Sequence, residues 1–163
     1  MSENNKLSVN EVPLTIDQCR DMGRSCVAHK LRRATRVISA HYDHAFKQFG
    51  LKATQVSILA AVQGMAEEEQ GCRMSSLAKV LRMDESTLTR NMAILEREAL
   101  VVITPGEDRR VREVALTSAG CNKLSQVYPL WLTTQQAMLD YLEPQAYEQL
   151  HSLLTHIYRF KAK

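Results

Sequence analysis

Long apolar runs, secretion signals and ordered cysteine spacings are all missing from this 163-residue chain. No run of 18 apolar residues occurs, so no membrane-spanning helix is expected. The first residues are polar and lack an apolar signal core, which favours a cytoplasmic protein with a flexible tail over 1–15. The four cysteines are irregularly spaced, so we expect free thiols rather than a disulfide framework.

Motifs that carry catalysis are absent as well. The chain contains no glycine-rich phosphate loop, no Gly-x-Ser-x-Gly pattern and no pair of carboxylates that suggests a cleft. We therefore expect no enzymatic activity and no cofactor. His41 and His44 flank Asp43 at a spacing that suits one metal ion, but no further ligand stands at matching spacing, and no metal site is predicted.

Net charge is only +3, and its distribution is more informative than its size. Residues 20–50 carry seven Lys or Arg against two Asp or Glu, whereas residues 51–117 carry nine against ten. The middle of the chain is therefore not a basic domain. If it binds nucleic acid, a few well-placed arginines and helix N-termini must do so in place of a general positive field.

Apolar periodicity predicts a mainly α-helical protein with one β-hairpin, an α+β arrangement. The predicted helices cover 26–49, 53–62, 75–81, 85–98, 118–142 and 144–160. Two short strands, 101–103 and 111–116, flank a turn that contains Pro105 and Gly106. Asp84 has the features of an N-cap, and Leu88, Met92 and Leu95 are expected to point inward from the helix that follows.

Three helices followed by a β-hairpin make a winged helix-turn-helix. We assign this lobe to 51–117, and the long helices of 16–50 and 118–163 to a dimerisation region. Those long helices would expose an extended apolar face if they formed a single layer, and contact with a second copy of the chain is the simplest way to bury it.

The recognition helix, predicted over 85–98, begins with short polar side chains. Its outward residues are Ser86, Thr87, Thr89, Arg90 and Asn91. Short hydroxyl side chains let a helix lie deep in the major groove, and an arginine reaches a guanine edge or a phosphate. The same pattern also fits an ordinary capped surface helix, so this segment alone leaves both interpretations open.

Two segments together resemble the MarR family of bacterial transcription regulators. They are MDESTLTRNMAILEREALV (83–101) and GEDRRVREVALTSAG (106–120). The first contains an Asp-x-Ser-Thr-hydrophobic-Thr-Arg pattern, and the second an Asp-x-Arg wing followed by Leu-Thr and a small-Gly pair. Segments 31–46 and 50–59 also resemble the first two helices of the family, so the likeness extends from about residue 26 to the C-terminus.

The resemblance implies a homodimeric DNA-binding regulator, a repressor on the family's usual pattern, that binds a palindromic operator. In the wing, Arg110 would enter the minor groove, Asp108 would orient it, and Arg109 and Arg112 would contact phosphates. One departure from the family is Ala99, which stands where a glycine is usual after the recognition helix. If the backbone there needs a positive φ, alanine costs on the order of 1 kcal/mol.

Relatives of this type change their DNA affinity with an effector. Arg33, Arg36, His41 and Tyr42 suit a small phenolic or aromatic acid, although surface or interface roles explain them equally well. Two alternatives stay open. In the first, the protein is an oxidant sensor of the same fold, because Cys19 and Cys26 lie near several basic residues. In the second, the winged helix binds other proteins and not DNA, although such a module would not need an arginine-bearing wing.

Overall fold

The structure, a computed structural model, describes residues 14–66 and 72–160. The chain forms two compact units that divide after Ile38, within helix α2 (Val27–Phe46). Across these described residues, no helix is both long and apolar enough to cross a lipid bilayer.

The N-terminal unit contains a helix that the sequence periodicity did not predict, α1 (Ile16–Ser25). A capping box begins it: Thr15 Oγ1 accepts from the backbone N–H of Gln18 at 3.2 Å, and Gln18 Oε1 accepts from that of Thr15 at 2.8 Å. Cys26 is extended and separates α1 from α2, so the predicted helix over 26–49 begins one residue later. Its last turn, Lys47–Phe49, is a 3₁₀ turn closed by left-handed Gly50.

The second unit is built around three short helices. They are α3 (Ala53–Gly64), α4 (Met74–Leu81) and the recognition helix α5 (Glu85–Arg97). Leu88, Met92 and Leu95 are at most 1% exposed, which confirms the predicted inward face of α5. Residues from the other elements complete the fully buried core, namely Phe46, Ile58, Leu59, Val62, Leu77 and Val127.

An antiparallel sheet follows the helices, with strand order β1–β3–β2. The wing is the hairpin of β2 (Val101–Pro105) and β3 (Arg112–Leu116), in agreement with the prediction. The predicted strands were misplaced only at their ends. Strand β1 (Cys72–Arg73) was missed because two residues carry no periodicity, yet it pairs with β3 and places Cys72 in the core.

Two long helices complete the chain, α6 (Ser118–Leu142) and α7 (Pro144–Tyr158). Thr117 caps α6, since its hydroxyl accepts from the backbone N–H of Gly120 at 3.0 Å. Glu143 takes a positive φ between the two helices, and Pro144 opens α7 at the first helical position.

The recognition helix, the wing and α6 meet at one tight junction. Ala99, the residue that replaces the family's usual glycine, has φ +54° and is therefore left-handed. Thr117 donates its hydroxyl to the carbonyl of Ala99 at 2.7 Å and its backbone N–H to that of Leu100 at 3.1 Å. A side-chain carbon at Gly120 would lie 2.0 Å from the same Leu100 oxygen, so only glycine fits there.

Replacing Ala99 with glycine should stabilise the protein. A left-handed alanine costs about 1–2 kcal/mol, and the greater freedom of glycine in the unfolded chain offsets about half of the relief. We expect Ala99→Gly to raise the free energy of unfolding by roughly 0.5–1 kcal/mol in urea titrations. The matched control is Ala60→Gly, on the exposed side of right-handed α3, which should lower it by a similar amount. Equal destabilisation by both changes would contradict strain at Ala99.

Candidate nucleic-acid interface

The turn between α4 and α5 gives the helix-turn-helix its angle. Arg82 ends α4 in a left-handed conformation, and the backbone N–H of Met83 donates to the carbonyl of Ala78 at 3.0 Å. Asp84 then caps α5 as predicted, because its Oδ1 accepts from the backbone N–H of Thr87 at 2.8 Å. The three-residue turn therefore has the short connection that helix-turn-helix motifs use.

The polar residues at the start of α5 divide into two groups. Ser86, Thr89 and Arg90 are exposed, whereas Thr87 and Asn91 are half-buried. The Asn91 side-chain amide donates to the carbonyl of Thr87 at 2.9 Å, so part of its hydrogen-bonding capacity is used within the helix. Ser86, Thr89 and Arg90 are therefore the members of this set that solvent reaches most freely.

Hydrogen bonds link Asp84, Ser86 and Arg90 on the surface of α5. Ser86 donates its hydroxyl to Asp84 Oδ1 at 2.6 Å, and the Arg90 guanidinium donates to Ser86. The Ser86 bond is the main reason that the pKa of Asp84 falls from 3.8 to about 2, with the side-chain and backbone bonds from Thr87 second. Asp84 is therefore charged throughout the physiological range.

The wing tip, residues 106–111, is closed by backbone bonds and carries its charges outward. Val111 accepts from the N–H of Gly106 at 2.9 Å, and its own N–H donates to the carbonyl of Asp108 at 2.8 Å. Asp108 Oδ1 accepts from the backbone N–H of Arg110 at 2.9 Å. Asp108 thus shapes the backbone that presents Arg110, and the contact described is with that N–H and not with the guanidinium. Arg109 and Arg110 are both exposed.

Recognition helix and wing face each other across a cavity of about 420 Å³. Thr89 of α5 lines one side, and Arg110 and Arg112 of the wing line the other. Glu85 and Glu96 lie on the same walls. The structure therefore brings together the two groups that the sequence proposed separately, and it adds two carboxylates that sequence reasoning did not include.

The predicted effector residues lie elsewhere. Arg33 and Arg36 are exposed on the part of α2 that belongs to the N-terminal unit, and His41 is exposed in the second unit. Tyr42 is half-buried and donates its hydroxyl to Gln135 Oε1 of α6 at 2.5 Å. Burial raises the pKa of Tyr42, with Tyr147 as a smaller cause. None of these four predicted residues lines the cavity between α5 and the wing, or a second cavity beside Cys121.

The candidate redox residues are accessible but not clustered with metal ligands. Cys19 and Cys26 are both exposed free thiols. Cys121, also exposed, lines a second cavity of about 440 Å³ with Gln63 and Tyr128. Within the ranges 14–66 and 72–160, no group of three or more His, Cys, Asp or Glu side chains is placed to hold a metal ion.

The chain is similar to known transcription regulators in sequence and in structure. YwoH of Bacillus subtilis (strain 168), an uncharacterised HTH-type transcriptional regulator, is 24% identical over 111 residues, which are 68% of this chain and 78% of that protein. The M. tuberculosis regulator MosR in complex with DNA has a TM-score of 0.69 at 29% identity, over 83% of this chain and 99% of that chain. No family model matches the sequence.

CouR of Rhodococcus jostii RHA1 matches in two solved structures. Bound to a 23-mer DNA duplex, it has a TM-score of 0.72 at 21% identity, over 90% of this chain and 99% of that chain. Bound to p-coumaroyl-CoA, it has a TM-score of 0.67 at 18% identity, over 86% of this chain and 96% of that chain. The matching solved structures are MarR-family transcriptional regulators.

The chain has a winged helix-turn-helix fold, and the solved structures that it resembles are regulators of the MarR type. Both the fold class and the family resemblance predicted from the sequence are confirmed. The matching proteins are transcription regulators, and MosR and CouR among them have been solved with DNA.

The lowered pKa of Asp84 predicts a specific acid response. A carboxylate whose pKa is depressed by folding stabilises the fold above its unfolded pKa near 4, and that stability is lost as pH falls through about 2. Asp84→Asn keeps a capping oxygen without the charge. In urea titrations at stepped pH, the wild-type free energy of unfolding should fall relative to Asp84→Asn between about pH 4 and pH 2. A constant difference across that window would contradict the assignment.

Proposed function

We propose that the protein is a homodimeric repressor that binds a palindromic duplex and releases it in response to a small aromatic effector. The observation that carries the DNA-binding part is the convergence of Thr89, Arg110 and Arg112 on one concave surface between recognition helix and wing. MosR and CouR, which share the fold, have been solved in complex with DNA.

In this proposal the start of α5 lies in the major groove. Its contact set is Ser86, Thr87, Thr89, Arg90 and Asn91. Exposed Thr89 and Arg90 supply the contacts to base edges or phosphates. Buried Leu88 and Leu95 hold the opposite face of the helix against the core, so the helix is presented as a rigid element.

The wing supplies the second contact, in the minor groove. Arg110 enters the groove from a tip whose backbone is fixed by Asp108, while Arg109 and Arg112 meet phosphates. Glu85 and Glu96 line the same cavity as Arg110 and Arg112, so net charge does not drive binding. Affinity comes instead from a few arginines on each of two protomers, whose phosphate contacts release counterions.

A second copy of the chain is proposed to cover the long C-terminal helices. Leu132 and Tyr141 of α6 are 47% and 83% exposed, and Leu153 and Tyr158 of α7 are 63% and 55% exposed. Residues at these positions are apolar or aromatic, and a monomer would leave them in water. A symmetric pair would bury them and place two recognition helices on the two halves of a palindrome.

A hydroxylated aromatic acid is the effector class we favour. CouR has been solved with p-coumaroyl-CoA, and in this chain Tyr42 joins α2 to α6 through Gln135. A ligand that competes for Gln135 would disturb that link. A thermal-shift screen of hydroxylated aromatic acids, with peroxide as the rival arm for Cys19 and Cys26, checks this choice; a response to peroxide alone would overturn it.

Removing the side chain of Arg110 from the wing tip should weaken duplex binding. Arg110→Ala is expected to cost about 1–3 kcal/mol of binding free energy, because one minor-groove or phosphate contact is lost. Fluorescence anisotropy measures this on a duplex selected by the wild-type protein from a randomised pool. Glu107→Ala is the matched control at the same exposed tip, and it should leave affinity unchanged or raise it. Unchanged affinity in Arg110→Ala would show that the wing does not touch DNA.

A charge placed on α7 should break the dimer without unfolding the protomer. Leu153 is 63% exposed in one protomer, so the carboxylate of Leu153→Glu stays hydrated in a monomer but would be buried in a dimer. Light scattering should give twice the 18.5 kDa chain mass for the wild type and about one chain mass for Leu153→Glu. Ser152→Glu, exposed on the same helix, is the control that should remain dimeric. A dimeric Leu153→Glu would move the interface elsewhere.

A further inference from the structure

The guanidinium of Arg90 is held against its own helix by Ser86. Nε donates to the carbonyl oxygen of Ser86 at 3.2 Å, and Nη2 donates to its Oγ at 3.1 Å. The same Oγ donates to Asp84 Oδ1 at 2.6 Å. We propose that Asp84 and Ser86 are positioning residues that decide which edge of Arg90 meets DNA, an inference that rests on the proposed function.

The Ser86 hydroxyl is oriented by the carboxylate beside it. A serine hydroxyl has one proton to donate and lone pairs to accept with, and it rotates to suit its partners. Because the Ser86 hydroxyl donates its hydrogen bond to Asp84, the lone pairs of Ser86 Oγ are left to accept from the guanidinium of Arg90. The chain of bonds runs from a cation through a hydroxyl to an anion, the charge-assisted arrangement that makes such bonds strong.

The bonds to Ser86 use one particular edge of the arginine. A guanidinium carries five N–H donors in a planar fork, and the edge formed by Nε and Nη2 is the one that Ser86 occupies. The end of the fork, formed by Nη1 and the second hydrogen of Nη2, remains open. This end presents two parallel donors, which suit the paired acceptors O6 and N7 of guanine or two phosphate oxygens.

If Ser86 positions Arg90, it is not expected to contact DNA directly. Its hydroxyl donates to Asp84 and accepts from Arg90, so it is engaged within the protein and acts on DNA through Arg90. An exposed arginine otherwise loses rotational freedom when it binds, and prior ordering reduces that cost. Loss of the Ser86 hydroxyl should therefore weaken binding by roughly threefold to tenfold.

A double-mutant cycle on the full chain separates positioning from direct contact. Affinities of the wild type, Ser86→Ala, Arg90→Ala and the double variant are measured on the duplex that the wild type selects from a randomised pool. If Ser86 acts through Arg90, Ser86→Ala costs roughly threefold to tenfold alone and nothing further in the Arg90→Ala background. Ser86→Thr, which keeps the hydroxyl, restores affinity. Asp84→Asn, which keeps the cap, has a smaller loss that also vanishes without Arg90.

Additive losses from Ser86→Ala and Arg90→Ala would overturn the inference, because Ser86 would then contact DNA by itself. If no duplex is selected at low salt, the proposed function fails, and this inference fails with it. A readout without DNA distinguishes the geometry: the Nη2–H of Arg90 that donates to the Ser86 hydroxyl should exchange with water more slowly than the Nη hydrogens of exposed Arg109 in NMR spectra, and as fast in Ser86→Ala, which keeps the carbonyl bonded by Nε but lacks the hydroxyl. Equal rates in the wild type would also overturn the proposal.

Discussion

The hydroxyl of Thr117 joins the recognition helix, the wing and α6. It accepts from the backbone N–H of Gly120, in the first turn of α6, and donates to the carbonyl of Ala99, which follows the end of α5. Gly120 allows α6 to approach the backbone of Leu100 more closely than any side chain would permit. Both ends of the wing are thereby fixed to the base of the recognition helix, so the angle between them follows from this junction and not from the charged tip.

Local placement of charge matters more here than its total. Residues 51–117 carry no excess of cations, and Glu85 and Glu96 lie in the same cavity as Arg110 and Arg112. Acidic side chains serve as structural partners: Asp84 holds the start of α5, and Asp108 closes the turn that carries Arg110. Under the proposed function, duplex affinity therefore depends on where the backbone places each arginine and not on the total charge of the protein.

Much of the fold was predictable from the sequence because its signals are local. Helix α5 follows from the Asp84 cap and the spacing of its buried leucines, and the hairpin from two β-branched runs around a turn. Strand β1 was not predictable, since two residues have no period, and α1 was missed although Thr15 and Gln18 form a capping box that the sequence displays. The positive φ suspected at Ala99 is confirmed.

The candidate site was less predictable than the fold. Residue types and spacing located Arg90 and Arg110, but the partners of their side chains and backbone depend on rotamers that no pattern encodes. Asp108 was expected to orient the Arg110 side chain, and the structure describes its bond to the Arg110 backbone instead. The contact roles of these residues stay predictions.

The salt dependence of duplex affinity tests the central claim that a small number of arginines bind the phosphate backbone of DNA. On a duplex selected by the wild-type protein, the logarithm of the association constant should fall linearly with the logarithm of salt concentration. The expected slope is about −0.9 for each phosphate contact, summed over several contacts. Affinity that does not change with salt, or no binding at low salt, would contradict the account.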